Sequence, residues 1–128
     1  EEFPGLPEPF TDKVDAAVPR PTSERQLILF SGCNWVCYDT HGSAVVEGGV
    51  HTLESKWFAA LPEPFASGID AVVRRPTYLT SQLIFFSRDQ WLLWNFTSSR
   101  ILEGPHRLTK GWFHNLGCSM GFTLPAAK

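Results

Sequence analysis

The sequence lacks the segments and motifs that mark a membrane-spanning protein or a familiar enzyme. No apolar run among its 128 residues approaches the ~18 to 20 needed to cross a bilayer as a helix. It has no Gly-x-Ser-x-Gly, no His-Glu-x-x-His, no phosphate-cradling glycine loop and no Cys at motif spacing from a His. We therefore expect no membrane span and no enzymatic activity.

Positive charge is also scarce. The chain has 11 Lys and Arg against 13 Asp and Glu, for a formal net charge of -2. A protein that binds nucleic acid through phosphate contacts needs an excess of cations, so we expect no nucleic-acid partner. The chain is 43% hydrophobic and 19% charged, which argues against long disorder and is enough to build a core. We expect one folded domain over residues 1–128.

Cysteine is rare, and its number is odd. Of Cys33, Cys37 and Cys118, at least one is free or paired outside the chain. Cys33 and Cys37 would be too far apart to bridge along a straight strand, where each residue rises ~3.3 Å. The three form no metal-ligand pattern, so their state stays open.

The sequence contains weak and conflicting signals about location. It opens with EEFPG rather than Met, which is typical of a mature or excised product. Asn95-Phe96-Thr97 is a formal N-glycosylation sequon, which matters only in a secreted protein. The odd cysteine count points the other way. A secreted or extracellular location is favoured over a cytoplasmic one, and glycosylation of Asn95 stays open.

The chain does contain an internal repeat. Residues 6–22, LPEPFTDKVDAAVPRPT, align with residues 61–77, LPEPFASGIDAVVRRPT, at an offset of 55. One inserted residue moves the offset to 56, so that QLILFS (26–31) aligns with QLIFFS (82–87). The offset returns to 55 where Trp-Phe closes each copy. The predicted units are residues 6–60 and 61–115, followed by a tail, 116–128.

Each unit has the same order of short apolar segments. VDAAV or IDAVV ends before Arg-Pro, and is followed by LILF or LIFF, a turn, and WVCYD or WLLWN. These segments are short, rich in aliphatic and aromatic residues and bounded by turn residues, as strands are. Their weak alternation predicts strands covered on both faces.

A polar, glycine-containing loop is predicted after the Trp-bearing strand of each unit. It leads to HTLESKWF (51–58) or HRLTKGWF (106–113), for which a short amphipathic helix and an outer strand both stay open. Three or four strands in meander order, with a Trp at a fixed place, are typical of a β-propeller blade.

These units resemble the hemopexin-like repeat. The resemblance rests on the Asp-Ala-Ala/Val opening found twice, the LIFFSRDQWLLW-type strand pair and the closing Trp-Phe-x-x-Leu-Pro, and it covers about residues 3–118. PFASGIDAVV is closer to the plant and microbial albumin-2-like form than to the matrix-metalloproteinase form. The family's Gly-Asp turn departs in both copies, as Ser-Gly-Cys-Asn-Trp and Ser-Arg-Asp-Gln-Trp, and its preceding basic residue is missing.

The resemblance implies an all-β fold in which each unit is one blade of a four-bladed propeller around a central channel. Two blades form half of that ring, and the LILF and LIFF runs would then contribute to a large exposed apolar surface. We expect a homodimer with its twofold axis along the channel, and a fragment of a longer chain is the alternative. The tail SMGFTLPAAK (119–128) favours the dimer because it does not enter a third LPxxF, and MGFTLP is predicted to pair with a partner's edge.

The resemblance also implies a cation in the channel. Backbone carbonyls at Asp15 and Asp70 would form one ring of ligands, and those at Ala17 and Val72 a second. Ligation by oxygen alone suits a structural calcium or sodium ion. Alternatively, each Asp caps its strand through a hydrogen bond from its side chain to the backbone, and both roles can hold at once.

Residues that differ between the units are the better ligand candidates. The pairs Trp35/Trp91, Tyr38/Trp94, Trp57/Trp112 and His51/His106 recur, as packing residues of a repeat do. The predicted ligand-binding residues, which have no counterpart of the same type, are Asn34, Asp39, His41, Tyr78, Arg88, Asp89 and Arg100.

The function predicted from the sequence is non-enzymatic binding. A lectin, or another defence or storage protein, would bind a glycan at repeated sites and gain avidity from a dimer. Two alternatives stay open. One is a carrier of a small ligand such as haem or a polyamine, and the other is a protein-interaction module excised from a larger extracellular protein.

Overall fold

The structure, a computed structural model, describes residues 3–75 and 81–108. It is all-β, with two four-stranded antiparallel sheets in which neighbouring strands follow chain order. Blade 1 contains β1 (Ala16–Arg20), β2 (Ser23–Ser31), β3 (Asn34–Asp39) and β4 (Ala44–Thr52). Blade 2 contains β5 (Ala71–Arg74), β6 (Gln82–Ser87), β7 (Gln90–Asn95) and β8 (Arg100–Arg107). The predicted fold class, two propeller-type blades, is confirmed.

The Trp-bearing strands are buried on both faces, as their weak alternation predicted. In β3, Trp35, Val36, Cys37 and Tyr38 are each no more than 1% exposed. Trp35 and Cys37 belong to the apolar cluster between the blades, whereas Val36 and Tyr38 belong to a second cluster on the other face of blade 1. A strand with apolar neighbours on both sides has no reason to alternate.

The outer strand β4 forms where the sequence predicted a polar loop. Its residues Glu47, Gly48 and Gly49 have φ values of 60°, 88° and 91°, and the β3–β4 register shifts between Trp35 and Cys37. A bulge of this kind uses glycine because glycine adopts a positive φ at little cost. The segment 51–58 contains the end of this strand and a 3₁₀ turn, Lys56–Phe58, rather than an amphipathic helix.

The two blades share one core. Phe58, which ends the 3₁₀ turn, is fully buried between them, with ring centroids 5.2 Å from Trp35 and 5.7 Å from Phe85. Burying a side chain of this kind contributes ~1.5 to 3 kcal/mol. The innermost strands β1 and β5 also contact each other, so the blades pack as neighbours.

The two LPEPF segments occupy equivalent places. Residues 61–65 lead from the outer part of blade 1 to β5, and they place Leu61 and Phe65 in the core between the blades. Leu6 and Phe10 of the first copy pack on the free side of blade 1 in the second cluster. The Tyr38 hydroxyl donates to the Pro4 carbonyl at 2.8 Å and ties this N-terminal segment down.

A third cluster, Ile84, Trp91 and Leu93 with Phe86 and Leu108, lies on the side of blade 2 that faces away from blade 1. Within 3–75 and 81–108 the helices are two 3₁₀ turns of three residues, and neither could cross a membrane. Tyr78, Trp112, Cys118 and the predicted tail 116–128 lie outside the described residues.

Candidate functional site

Each blade begins with an aspartate that holds its neighbouring turn. The Asp15 carboxylate accepts a hydrogen bond from the Gly32 backbone N–H at 2.7 Å, and Asp70 accepts one from Arg88 N–H at 2.6 Å. Each aspartate side chain thus bonds to the backbone, as considered from the sequence, but to that of the neighbouring turn rather than of its own strand. We call this the cavity end of the blades, where the β2–β3 and β6–β7 turns lie; the β3–β4 and β7–β8 turns lie at the far end.

A cavity of about 190 Å³ lies between the two aspartates. Asp15 and Asp70 both line it, together with Ser67, Ser87 and Arg88. The Ser87 hydroxyl donates to the Gly68 carbonyl at 2.7 Å, so the wall is internally hydrogen-bonded. The Lys13 ammonium lies 3.4 Å from the other carboxylate oxygen of Asp15. The lining thus includes two aspartates, two serines and one arginine.

A larger cavity of about 430 Å³ adjoins the first along the 3₁₀ turn Phe65–Ser67. Ser67 lines both cavities. The other lining residues of the larger one come from blade 1 and the same turn: Cys33, Thr52, Leu53, Glu54 and Ala66. The two cavities together form a groove at the cavity end, between the blades, whose lining is both polar and apolar.

A cation here would need backbone oxygens. Among residues 3–75 and 81–108, no three His, Cys, Asp or Glu side chains converge on a point. The innermost strands place Ala17 opposite Leu29 and Val72 opposite Phe85, which are equivalent register positions in the two blades. A donor set of Asp carboxylates and carbonyls is hard and oxygen-only, which fits calcium or sodium.

The two described cysteines differ in environment. Both are free, and they do not bridge each other, as their spacing predicted; Cys33 is exposed and lines the larger cavity, whereas Cys37 is buried in β3. Burial raises the pKa of the Cys37 thiol to about 11. Only Cys33 therefore offers an accessible thiol in this part of the chain.

The structure separates the predicted ligand-binding residues into two groups. Asn34, Arg88 and Asp89 lie at the cavity end. Asp39, His41 and Arg100 lie at the far end, and Tyr78 falls outside the described residues. The six described residues therefore do not form a single site.

At the cavity end, the two blades differ at one pair of equivalent positions. In blade 2 the Asp89 carboxylate accepts from the Arg107 guanidinium at 3.0 Å. The equivalent residues of blade 1 are Cys33 and Thr52, which form no ion pair and line the larger cavity instead. The groove is therefore a feature of the junction that follows blade 1.

At the far end, Asp39 is engaged in its own turn. Its carboxylate accepts hydrogen bonds from the backbone N–H groups of His41 at 2.9 Å and Gly42 at 3.1 Å, and from the Arg25 guanidinium at 3.3 Å. The Gly42 hydrogen bond is the largest of the causes that lower the pKa of Asp39 to about 2, against the opposing effect of burial. The Asp39 carboxylate is therefore already hydrogen-bonded within the protein, without any ligand.

No protein-family model matches the sequence, and no curated protein matches it. Solved structures do match. The chain aligns with the hemopexin-fold protein CP4 from cow pea at a TM-score of 0.75 and 19% identity, covering 92% of this chain and 53% of that one. A plant lectin with two metal-binding sites from Cicer arietinum aligns at a TM-score of 0.72 and 17% identity, covering 93% and 54%. The chain has half of a hemopexin fold.

The likeness extends to a plant albumin from Cicer arietinum that shows hemagglutination, at a TM-score of 0.68 and 18% identity, covering 83% of this chain and 47% of that one. The chain spans about half the length of each of these proteins. The predicted resemblance to hemopexin-like proteins of the seed albumin kind is thus confirmed at the level of fold.

Two residues that line the groove, Glu54 and Ser67, were not predicted from the sequence although they could have been. Glu54 and Ser67 align with Thr109 and Asp12, so neither recurs in type, and the criterion that selected Asn34 would have selected them too. Ser87 could not have been found this way, because it aligns with Ser31.

Proposed function

We propose that this protein is a non-enzymatic, glycan-binding protein of the lectin or storage type, and that the groove at the cavity end is its binding site. The observation that carries the proposal is the groove itself, which acidic and hydroxyl residues help to line, on a fold shared with a plant lectin and with an albumin that shows hemagglutination. The larger cavity, about 430 Å³, falls in the ~300 to 1,000 Å³ range of small-ligand sites.

The groups in the groove suit sugar hydroxyls. A hydroxyl both donates and accepts, so it can donate to a carboxylate such as Asp70 or Glu54 and accept from a guanidinium such as Arg88. Hydrogen bonds to charged groups are the stronger kind. Ser67 lies where the two cavities meet, and because its hydroxyl donates to the Glu63 carboxylate it can accept a hydrogen bond from a sugar hydroxyl.

A glycan array, followed by hemagglutination with sugar inhibition, tests this proposal. Arg88→Ala and Ser67→Ala are expected to weaken binding at least tenfold if the groove holds the glycan. Arg100→Ala is the matched control, since it removes an exposed guanidinium at the far end. Loss of binding in Arg100→Ala alone would move the site to the far end, and no glycan bound on the array would refute the function.

A structural cation is the second part of the proposal. Carbonyls of Asp15 and Asp70, and of Ala17 and Val72, would ligate calcium or sodium where β1 and β5 meet. The support is the equivalent register of these residues and the contact between the two strands. Calcium or sodium is expected to raise the melting temperature relative to chelated, sodium-free buffer; identical melting curves would remove this part of the proposal.

A polyamine is the second candidate ligand, because Asp15 and Asp70 face one cavity. Two carboxylates there would attract a flexible cation with two or more ammonium groups. Titration calorimetry with spermidine, alongside Asp70→Asn, tests it: affinity unchanged by the variant would exclude this site. Neither described cavity is lined by a histidine, so these two cavities do not favour haem.

Three further proposals concern the whole molecule. The first is that a second copy of the chain completes the four-bladed ring. The second is that the domain is divided at the predicted limits, 6–60 and 61–115, and the third is an extracellular location. A mass shift on enzymatic deglycosylation of the natural protein, mapped to Asn95, would support that location, whereas a cytosolic source would exclude it.

A further inference from the structure

Equivalent residues of the two blades differ in exposure in a systematic way. Val18 of β1 is 2% exposed, whereas Val73, its equivalent in β5, is 47% exposed. Val18 lies in the core between the blades, on the side of blade 1 that meets blade 2. Val73 holds the same position on the side of blade 2 that faces away from blade 1. The same residue type is thus buried where a blade follows and exposed beyond the last described blade.

The opposite side of each blade shows the reverse difference. Val72 of β5 is 5% exposed and belongs to the core between the blades, while its equivalent Ala17 in β1 is exposed. Val72 lies on the side of blade 2 that meets blade 1. Ala17 lies on the side of blade 1 that no described blade covers.

The contrast continues away from the channel. On the outer strands, Val46 packs against the core between the blades, whereas its equivalent Leu102 is 44% exposed. In the LPEPF segments, Leu61 is 6% exposed, and its equivalent Leu6 is only partly buried. The differences therefore occur on the innermost strand, the outer strand and the LPEPF segment, whereas the middle strands are buried on both faces.

We infer that these two faces are the halves of one interface, and that they meet between two copies of this chain. The face of blade 2 that points away from blade 1 (Val73 and Leu102) would pack on the second copy. It would meet the face of that copy's blade 1 that points away from its blade 2 (Ala17 and Leu6). The junction would reproduce the one within the chain, where Val18 and Val46 face the side of blade 2 that contains Val72 and Leu61. This inference refines the self-association proposed above and does not depend on the ligand.

The geometry of the junction determines the assembly. The two faces are different surfaces, so each contact is head to tail, and such contacts give either a closed ring or an open filament. The solved hemopexin-fold proteins are about twice as long as this chain, so a ring of that size would hold two copies. A ring of two copies has two identical junctions and no face left uncovered.

The mass of the full chain in solution, from light scattering coupled to gel filtration, is the first measurement. We expect twice 14.4 kDa. Val73→Glu places a charge in both junctions and should shift the mass to that of one chain. Val73→Thr keeps the shape without a charge, and Ser98→Glu adds the same charge on the exposed β7–β8 turn; both should remain dimeric. Near-ultraviolet circular dichroism confirms that each variant is folded.

A mixing experiment tests which faces meet. Ala17→Lys, on the other half of the junction, should also be monomeric, which gives an independent result should Val73→Glu fail to fold. When the two variants are mixed, one junction has its natural residues and the other pairs Glu with Lys, so the dimer mass should return. If Val73 met its own copy across the axis, mixing would restore nothing.

Three results overturn the inference: a wild-type mass of one chain at every concentration, a mass that grows without limit, or a Val73→Glu protein that stays dimeric. Glycan binding is measured on the same samples. A wild-type dimer that binds no glycan would count against the proposed function alone, and a wild-type monomer that binds glycan would count against the interface alone.

Discussion

Asp39 and Asn95 hold the same turn in the two blades. Asp39 accepts hydrogen bonds from the backbone N–H groups of His41 and Gly42, and Asn95 accepts from those of Thr97 at 2.9 Å and Ser98 at 3.2 Å. A side-chain oxygen that bonds backbone N–H groups two and three residues on stabilises a turn in either its acid or its amide form. What Asp39 adds is a charge, which the Arg25 guanidinium pairs at 3.3 Å.

Asp39 should make the protein sensitive to acid. Because its pKa falls from 3.8 to about 2 in the folded protein, its contribution to stability is present above about pH 4 and is lost as the pH falls towards 2. In Asp39→Asn, the melting temperature should fall less between pH 4 and pH 2 than in the wild type. Thermal melts followed by circular dichroism measure this.

Asp89→Asn is the control for that comparison. Asp89 pairs with Arg107 through side chains that are 63% and 70% exposed, and exposed pairs contribute only ~0 to 1 kcal/mol. Its acid profile should follow that of the wild type. Parallel profiles for Asp39→Asn and the wild type would show that Asp39 titrates normally.

Trp35 and Trp94 are both fully buried but differ in hydrogen bonding. The Trp35 indole N–H donates to the Thr52 carbonyl at 3.1 Å, whereas within the described chain the Trp94 indole nitrogen is buried without a partner. Trp35→Phe should therefore cost ~1 to 2 kcal/mol more than Trp94→Phe, since the latter also removes an unsatisfied donor. Denaturant unfolding of both variants measures the difference, and equal costs would contradict the assignment of the Trp94 nitrogen.

Gly104 is required by close contact as well as by conformation. Its φ is +97°, and a Cβ there would lie 3.0 Å from the Trp91 carbonyl oxygen and 3.1 Å from Leu92 Cα. Gly49 has a similar φ, +91°, with nothing within 4 Å of its Cβ position. Gly49→Ala should cost ~1 to 2 kcal/mol from backbone strain alone. Gly104→Ala should cost distinctly more in the same unfolding measurement; an equal loss would show that blade 2 relaxes around the methyl group.

The strands that could be predicted from the sequence are those whose residues recur in both units. The apolar residues around Trp35 and Trp91 repeat at a constant offset, so the strands and the pairing of the units follow from alignment. The outer strands are harder to predict, because Glu47-Gly48-Gly49 forms a bulge with positive φ and resembles a loop in composition. Tertiary pairing with β3 makes that segment a strand.

The site could be predicted only in part. A residue type that differs between the two units marks a candidate ligand-binding residue, but it does not show where in the blade that residue lies. Asn34 and Asp39 begin and end the same strand, β3. At ~3.3 Å per residue they lie ~17 Å apart, at opposite ends of the blade. Asp39 also has a functional equivalent in Asn95, which residue identity conceals although the two turns are held in the same way.

Cys33 and Cys37 should differ sharply in reactivity. The thiolate is the reactive form, and Cys37 is buried with a pKa of about 11, whereas Cys33 is exposed. Maleimide labelling of the native protein at pH 7.5, followed by peptide mass mapping, should modify Cys33 and leave Cys37 unmodified until denaturant is added. Labelling of Cys37 at the same rate as Cys33 would show that β3 opens readily.

Arg88 combines backbone strain with a position in the groove. Its φ is +60°, and its equivalent in blade 1 is Gly32, also at +60°. A left-handed conformation costs a residue with a side chain ~1 to 2 kcal/mol relative to glycine. Arg88→Gly should therefore stabilise the protein by ~1 kcal/mol in denaturant unfolding, because its backbone N–H still donates to Asp70.

The same variant separates stability from binding. A strained residue that persists is commonly found at a functional site, and Arg88 lines the cavity between the two aspartates. Arg88→Gly should be more stable than the wild type yet lose glycan affinity, while Gly49→Ala, at a residue that lines neither cavity, should lose ~1 to 2 kcal/mol of stability and keep its affinity. An Arg88→Gly protein that is more stable and binds glycan as well as the wild type would exclude Arg88 from the site.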